Sequence, residues 1–549
     1  MFLLHRQLKN KFLILSLCSF IYCQFDVDFS LESKFAKDSN SSFKNPTFFE
    51  NYLDVNLYID DLYIFTQLEY SYPPLMGPNQ NSLSDAINMV YVEFFNDQVE
   101  FTLGNLFSMY GMGLSLHTYE DQNIDYDNSL YGFQTIYTLN DSYSLFILAG
   151  KRNILSRVSP QEITPSISLQ NRVLSIGLNG MKDNLSFQYL TMMYEQDYDY
   201  NDILSISSLP TMLGDYLVEN HLESMIEYEP DYKMKNLEHN IGFNFYSDFF
   251  EIVYERALIY YHKIYGERQE GYREYMSTYF NLFGFNFILE HKDYNTPYLY
   301  SHFSNPPIVS RESNSILASR NLHTVNFNNE IGHQLEINKT FESGLNIVFN
   351  YAFAMHYNEN DKPENFKSLY TYLMESLVGV SNILNNKNNI SNFIDYKPYR
   401  QVYLEFSNWI LQENLYYKIG YDCYHEYLYD KIVLSKTYPM QFTYKLNAGS
   451  SATIYFEIQD EVKNDVKHRY YYLSPSYNHF GEWTATLFYD VEENGDDWLG
   501  LDYTININDL NQLSVFYGSQ KGGLVCANGS CVIQPDFEDG LKLTYRTSF

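Results

Sequence analysis

The chain has 549 residues, and 36 Lys and Arg stand against 68 Asp and Glu for a formal net charge of −32. That balance excludes nucleic acid as a partner, because phosphate binding needs a basic face. Aromatic residues are 18% of the chain, with 55 Tyr and 40 Phe, yet the mean hydropathy is −0.35. Strand formers dominate, and strands with one apolar and one wet face reconcile the two figures.

Residues 1–23 have the form of a secretory signal: Arg6, Lys9 and Lys11 precede an apolar run from Phe12 to Cys23, too short to span a bilayer. An uncleaved anchor is the alternative. No small residue precedes Cys18 or Cys23, so a lipoprotein site is not expected. Residues 24–549 are expected to form one domain. No later apolar run approaches the roughly 18 residues of a membrane helix.

From Phe25 onward the pattern has period two. Phe25, Val27, Phe29 and Leu31 alternate with Asp26, Asp28 and Ser30, as expected of a strand with two unlike faces. The alternation returns at 53–60, 99–105, 185–191, 237–245, 345–356, 402–408, 452–458 and 499–508. Short turns fall near 60–61, 96–98, 140–142, 182–184, 247–249, 283–284, 342–344, 411–414, 448–451, 478–482 and 508–511, with longer polar loops between them. Eleven short turns join 22 strands, and an opening and a closing strand make about 24. Short turns on one side, long loops on the other and an even strand number are the pattern of a transmembrane antiparallel β-barrel of 22–26 strands. A secreted sandwich also alternates but lacks that punctuation. Closure leaves no sheet edge in lipid, so Phe25–Leu31 is expected to pair with Leu541–Phe549.

The segment 104–132, GNLFSMYGMGLSLHTYEDQNIDYDNSLYG, breaks the pattern. Gly104, Gly111 and Gly113 permit close approach and positive φ. Glu120, Asp121, Asp125 and Asp127 follow with no Lys or Arg. The expectation is a loop folded into the lumen that sets carboxylates at a constriction; an ordinary acidic external loop is the alternative. The acids lack the ligand order of a calcium loop, so no metal site and no cofactor are expected. Cys526 and Cys531 flank Ala-Asn-Gly-Ser, whose turn-forming Asn528–Gly529 favours a disulfide outside the cytosol. Cys423 is left over and expected to be inert. Helical spacing runs from Phe366 to Leu384 and, less clearly, over 209–227. His117, His239, His333, His356 and His425 are scattered singly, so no catalytic site is expected.

Two resemblances follow from these segments. The ending GLKLTYRTSF resembles the C-terminal assembly signal of Gram-negative outer-membrane proteins, with Tyr545 and Phe549 as its aromatic positions. The glycine-rich segment with its YED and DN elements, and the paired cysteines of 517–549, resemble an uncharacterised family of outer-membrane barrels from Bacteroidota. Such relatives carry an arginine soon after the acidic element, where this chain has Gln122 and Asn123. The resemblance implies an outer-membrane barrel and supplies no substrate. The expected partners are outer-membrane lipid and lipopolysaccharide, the barrel assembly machinery, and an envelope protein held by the loops. The expected function is a pore or transporter, with a scaffold subunit of a cell-surface secretion or assembly complex as the alternative.

Overall fold

A computed structural model describes residues 25–39, 47–74, 86–122, 126–154, 169–199, 231–262, 269–296, 304–311, 313, 315–320, 323, 329–356, 399–428, 431–463, 466–493, 495–527, 530–534 and 536–549. The strands begin with β1 (Phe25–Lys37), β2 (Thr47–Ile59), β3 (Leu62–Ser71), β4 (Ile87–Phe95) and β5 (Val99–Leu106). Four tiny strands follow: β6 (Met109–Tyr110), β7 (Leu116–His117), β8 (Glu120–Asp121) and β9 (Tyr126–Asp127). Next come β10 (Leu130–Asn140), β11 (Tyr143–Ile154), β12 (Leu169–Lys182), β13 (Leu185–Asp199), β14 (Asp231–Tyr246), β15 (Phe250–His262), β16 (Gln269–Leu282), β17 (Phe285–Asn295) and a helix, α1 (Ile316–Ser319). The chain continues through β18 (Asn329–Thr340), β19 (Asn346–His356), β20 (Tyr399–Ile410), β21 (Leu415–Leu428), β22 (Lys431–Lys445), β23 (Ser450–Lys463), β24 (Val466–His479), β25 (Trp483–Glu492), β26 (Asp497–Asn508) and β27 (Asn511–Gln520). It ends with the hairpin β28 (Gly523–Ala527) and β29 (Ser530–Gln534) and with β30 (Phe537–Ser548).

Strands β1–β5, β10–β27 and β30 form one 24-stranded antiparallel sheet in which each pairs with its chain neighbour and β30 pairs with both β27 and β1. The sheet is therefore a closed barrel with no edge. The short turns lie at one end, as the sequence predicts. Several are held by an asparagine that accepts backbone N–H groups two or three residues on: Asn96 from Gln98 and Val99, Asn140 from Ser142, Asn447 from Gly449 and Ser450, and Asn508 from Leu510. That side-chain mimic of a turn is why asparagine recurs there.

The pleat decides which residues face lipid. On β14, Ile241 is 55% exposed on the outside while its neighbour Asn240 is 0% exposed inside. Outward rings gather near the turns, with Tyr477, Trp483 and Tyr503 in sequential contact, Tyr143 against Phe187, and Phe29 stacked on Phe549. These form an aromatic girdle at the membrane boundary.

The closing register corrects the expected one. Ser30 opposes Ser548 and Lys37 opposes Leu541, and Phe29 exchanges both backbone hydrogen bonds with Phe549 at 2.8 and 2.9 Å. Phe29–Lys37, rather than Phe25–Leu31, closes the barrel. Phe25–Asp28 run past the end of β30 and pair with β2 alone. Tilted strands close with a stagger, and the alternation within a single strand does not encode it. The helical spacings at 209–227 and 366–384 lie outside the described residues.

Candidate functional site

Two segments that leave the wall enter the lumen. The first, described at 107–122 and 126–129, runs inward from β5 and returns to β10. Gly111 and Gly113 turn it at φ 63° and 80°. A Cβ on Gly111 would run into Gln188 and Glu255, so glycine is needed there for both space and conformation. Beyond the turn, inward-facing wall groups hold the backbone. The Met112 N–H donates to Glu255, Arg273 donates to the Leu114 carbonyl at 2.5 Å, and Asn240 donates to Ser115 Oγ at 2.8 Å. Tyr110 donates its hydroxyl to the carbonyls of Leu178 and Tyr189 at 3.1 and 3.0 Å.

The other grip on this segment is apolar. Tyr110 and Leu116 pack into a fully enclosed cluster with Leu106, Leu130, Phe146, Leu148, Val173, Leu190 and Met192. On the wall these side chains point inward, where a water-filled lumen would leave them wet. Burying each under the hairpin is worth about 1.5–3 kcal/mol. The hairpin is thus part of the barrel's own core.

The second segment, described at 304–311, 313, 315–320 and 323, straps across the lumen from the β17 side to β23–β25. Asn305 N–H donates to the Gly113 carbonyl at 3.2 Å, which ties the strap to the first segment. Tyr294 and Lys292 donate to the carbonyls of Pro307 and Ile308 at 2.7 and 2.5 Å. The Arg311 guanidinium lies 3.6 Å from the centre of the Tyr403 ring. At α1, the N–H groups of Ile316 and Leu317 share the Glu457 carboxylate at 2.6 and 2.8 Å, and Gln459 donates to the Leu317 carbonyl at 2.9 Å. Arg320 pairs with Asp490.

The strap ends in a buried charge cluster. His323 bridges Glu426 at 2.6 Å and Glu330 at 3.0 Å, and its ring stacks on Tyr399 at 4.0 Å. Lys292 and His356 also reach Glu330, at 2.5 and 3.3 Å. Burial alone would lower the His323 pKa, but the Glu330 and Glu426 carboxylates outweigh it and hold the pKa up to about 9. The imidazole is therefore charged at neutral pH. Removing one partner of such a cluster strands the rest, at a cost of about 3–5 kcal/mol.

Of the acids singled out by the sequence, Glu120, Asp121 and Asp127 lie in the β8–β9 hairpin of the first plug segment. Glu120 opposes Asp127 across the β8–β9 hairpin, and both, with Asp121, are half-buried. Asp127 turns its carboxylate to its own chain and accepts the Ser129 N–H at 2.7 Å, while Arg152 donates to its carbonyl. Asp125 and Asn123 lie outside the described residues. Gly104 stands at φ 116° in β5, packed on the Val90 backbone. His117 meets the Asn305 carbonyl at 3.5 Å, His239 meets Tyr189 and Thr191, and His333 meets His291 at 3.3 Å. His425 is buried on β21. Cys526 and Cys531 occupy opposed positions in the β28–β29 hairpin, and Cys423 is a free, half-buried thiol. Among the described residues, no group of three or more His, Cys, Asp or Glu is placed to hold a metal ion.

Sequence reasoning missed the inward acids Glu238, Glu255, Glu330, Glu426, Glu457 and Asp490, and the whole strap. One signal was available. LFILA at 145–149 and YAFAM at 351–355 are apolar on both faces, which no strand between lipid and water requires.

Comparison with known proteins supplies a family. The chain belongs to DUF6029, a family of unknown function, across residues 8–549. Among curated proteins none matches it. Among solved structures it is similar to the P pilus usher PapC translocation pore, at 8% identity over 96% of this chain and 99% of that one, with a TM-score of 0.43. It is also similar to the siderophore receptor PirA from Pseudomonas aeruginosa, at 8% identity over 95% of this chain and 80% of that one, with a TM-score of 0.44. The copper transporter OprC follows at 10% identity, over 95% and 80% of the two chains, with a TM-score of 0.42. No functional conclusion for this DUF6029 chain rests on these likenesses.

Proposed function

We propose that this DUF6029 protein is a passive outer-membrane pore with a divided lumen. Segments 107–129 and 304–323 fill the side walled by β10–β24, the side walled by β26, β27, β30, β1 and β2 is the passage, and β25 borders both. The observation that carries this reading is the contrast between the two walls. Facing the plug, inward acids and amides are buried against loop backbone, as with Glu457, 0% exposed under α1. On the other side, inward Thr486, Asp502, Ser514, Lys542 and Thr544 line a cavity of about 340 Å³.

The fixed charge of the passage is acidic. By the pleat, Asp26, Asp28, Ser30, Glu32 and Lys34 of β1 face inward together with Asp54 of β2. Glu32 is matched by Lys34 at 2.7 Å and Arg546 at 2.5 Å. Asp54 is bonded to the neutral donors Ser30 and Gln67, and Asp502 to Thr504, so neither charge is cancelled by those partners. Carboxylates along a pore favour cations. The pore is expected to prefer cations, and asparagine at Asp26, Asp28, Asp54 and Asp502 together should lower that preference, most visibly at low ionic strength. Asparagine at Glu120, Asp121, Asp125 and Asp127 together should act more weakly, as Glu120, Asp121 and Asp127 belong to a plug segment and are half-buried. Reversal potentials under a salt gradient measure both; a wall variant with wild-type selectivity would place the ion path elsewhere.

The last external hairpin belongs to the same reading of an envelope protein. Directly opposed residues of an antiparallel pair have Cα atoms about 4.5–5.5 Å apart, within the span of a disulfide. We expect Cys526 and Cys531 to resist alkylation in folded, unreduced protein. Labelling of both thiols would rule the bridge out.

A further inference from the structure

One stretch of the passage wall is built differently from the rest. Gly500 of β26 is in register with Gly518 of β27, and Gly518 with Gly540 of β30, so three glycines form one inward row. Phe488 of β25 continues that row. A Cβ on Gly500 would come within 2.6 Å of both the Phe488 and Phe516 rings, and one on Gly540 would run into Phe537. The rings occupy the room that the missing side chains leave. Phe488 and Phe516 lie nearly parallel, 7° apart with centroids at 5.4 Å, and Phe537 leans on Phe516 at 5.8 Å. Phe516 and Phe537 are buried, while Phe488 is half-exposed and gives the shelf its open edge.

The adjoining row runs Thr486, Asp502, Phe516 and Lys542 across the same strands, and the next includes Thr504, Ser514 and Thr544. Members of both rows, with Gln520, line the cavity already described. Asp502 and Lys542 flank Phe516 on the two neighbouring strands, which sets them about 10 Å apart by strand spacing. Lys542 is held in place: it donates to Gln520 at 3.1 Å and sits 4.2 Å from the centre of the Phe537 ring. The wall thus presents an aromatic edge, three side-chain hydroxyls, an amide, and an acid and a base at opposite sides.

Rings lying over glycines stabilise sheets on their own. That packing does not account for a surrounding set of hydroxyl, amide and carboxylate groups turned into one cavity beside a half-exposed ring. We propose that this wall is a binding site for a short carbohydrate. The C–H face of a sugar ring stacks on Phe488, whose π-face carries partial negative charge. Asp502 accepts sugar hydroxyl protons, Thr486, Ser514 and Thr544 donate or accept, and Lys542 donates to a ring oxygen or a uronate carboxylate. The distance from Asp502 to Lys542 fits about two sugar units. An apolar surface with a few convergent polar groups is the usual composition of a small-molecule site.

The proposal rests on the reading that this side of the lumen is open. Equilibrium dialysis of the full chain, in a detergent without a sugar headgroup, against labelled maltose, cellobiose and digalacturonate reads binding without reference to conduction. Saturable binding of at least one probe is expected. Phe488→Ala and Asp502→Asn should each weaken it about tenfold, or by about 1.4 kcal/mol, in protein whose heat-modifiable gel migration shows a folded barrel. Asp502→Asn keeps the side-chain volume and serves if the Phe488 variant fails to fold. No saturable binding of any probe, or unchanged affinity in the folded variants, would overturn the site. A barrel that conducts without binding sinks this site alone; one that binds without conducting sinks the pore reading alone.

Discussion

Replacing residues 304–323 by a short Gly-Ser linker is expected to raise single-channel conductance severalfold while leaving the barrel folded. The strap is held mainly by polar and charged groups, Glu457, Asp490, Glu426 and Glu330 on the wall with Arg320, His323 and backbone N–H groups on the strap, while Val309 joins a small apolar cluster with Leu114, Ala257, Tyr275 and Tyr294. Once the strap is gone, water can solvate those wall acids. Removing 107–129 should have the opposite outcome. It leaves Leu130, Phe146, Leu148, Val173, Leu190 and Met192 facing water, at about 1.5–3 kcal/mol each, so the barrel should lose denaturant resistance before any gain in conductance is seen. Even Leu116→Ala should cost about 2–5 kcal/mol. Conductance paired with urea midpoints measures the contrast, and equal behaviour of the two deletions would refute it.

The strap also carries a pH signature. The His323 pKa is raised from 6.5 to about 9 by its carboxylate partners. A raised pKa means the folded state favours the charged form, so the stabilisation is full below pH 6.5 and is lost as pH rises through about 9. Conductance of the intact barrel should therefore increase above about pH 9, and His323→Gln should flatten that rise. A pH-independent conductance in the intact barrel would mean that the His323 charge cluster does not hold the strap in place.

Leu543→Lys is expected to be among the most damaging single changes on the barrel's outer surface. Lys542 and Thr544 face the cavity, so Leu541, Leu543, Tyr545 and Thr547 face outward. Leu543 stands midway in that row, between Val515 of β27 and Phe35 of β1 in register. A lysine near the bilayer midplane costs about 2–4 kcal/mol, and here it falls on the seam that closes the barrel. Phe549→Ala should weaken the same seam by a smaller amount, because the Phe29–Phe549 ring contact at 5.5 Å is lost while the backbone pair at 2.8 and 2.9 Å remains. Lys542→Gln, on the wet face, loses the Gln520 hydrogen bond and the Phe537 contact and should cost less than Leu543→Lys. Unfolding midpoints in lipid vesicles give the order; a Leu543→Lys variant as stable as Lys542→Gln would reverse the assignment of faces.

The barrel was legible in the sequence because its physics is local. Period-two alternation and asparagine-held turns each occupy a few residues, so strand number and turn positions follow from short windows. The closing register was not legible, because stagger is a property of the whole ring. The infolded hairpin announced itself through Gly111 and Gly113. The strap did not, since 304–323 has the composition of any polar loop. Its meaning lies in Arg311, Arg320 and His323 meeting Tyr403, Asp490 and Glu426, all far away in sequence, with Glu330 the one partner nearby. The acids at 120–127 drew the eye because they are close in sequence, whereas the inward acids around the plug come from six strands. The glycine row is equally scattered: Gly500, Gly518 and Gly540 align only once three strands are in register.

Single-channel recording of the intact protein in a planar bilayer tests the central claim most directly. A passage left beside a fixed plug predicts steady, cation-preferring steps, smaller than those of the variant lacking 304–323. A barrel that inserts but stays silent at all voltages, with or without the strap, would contradict it.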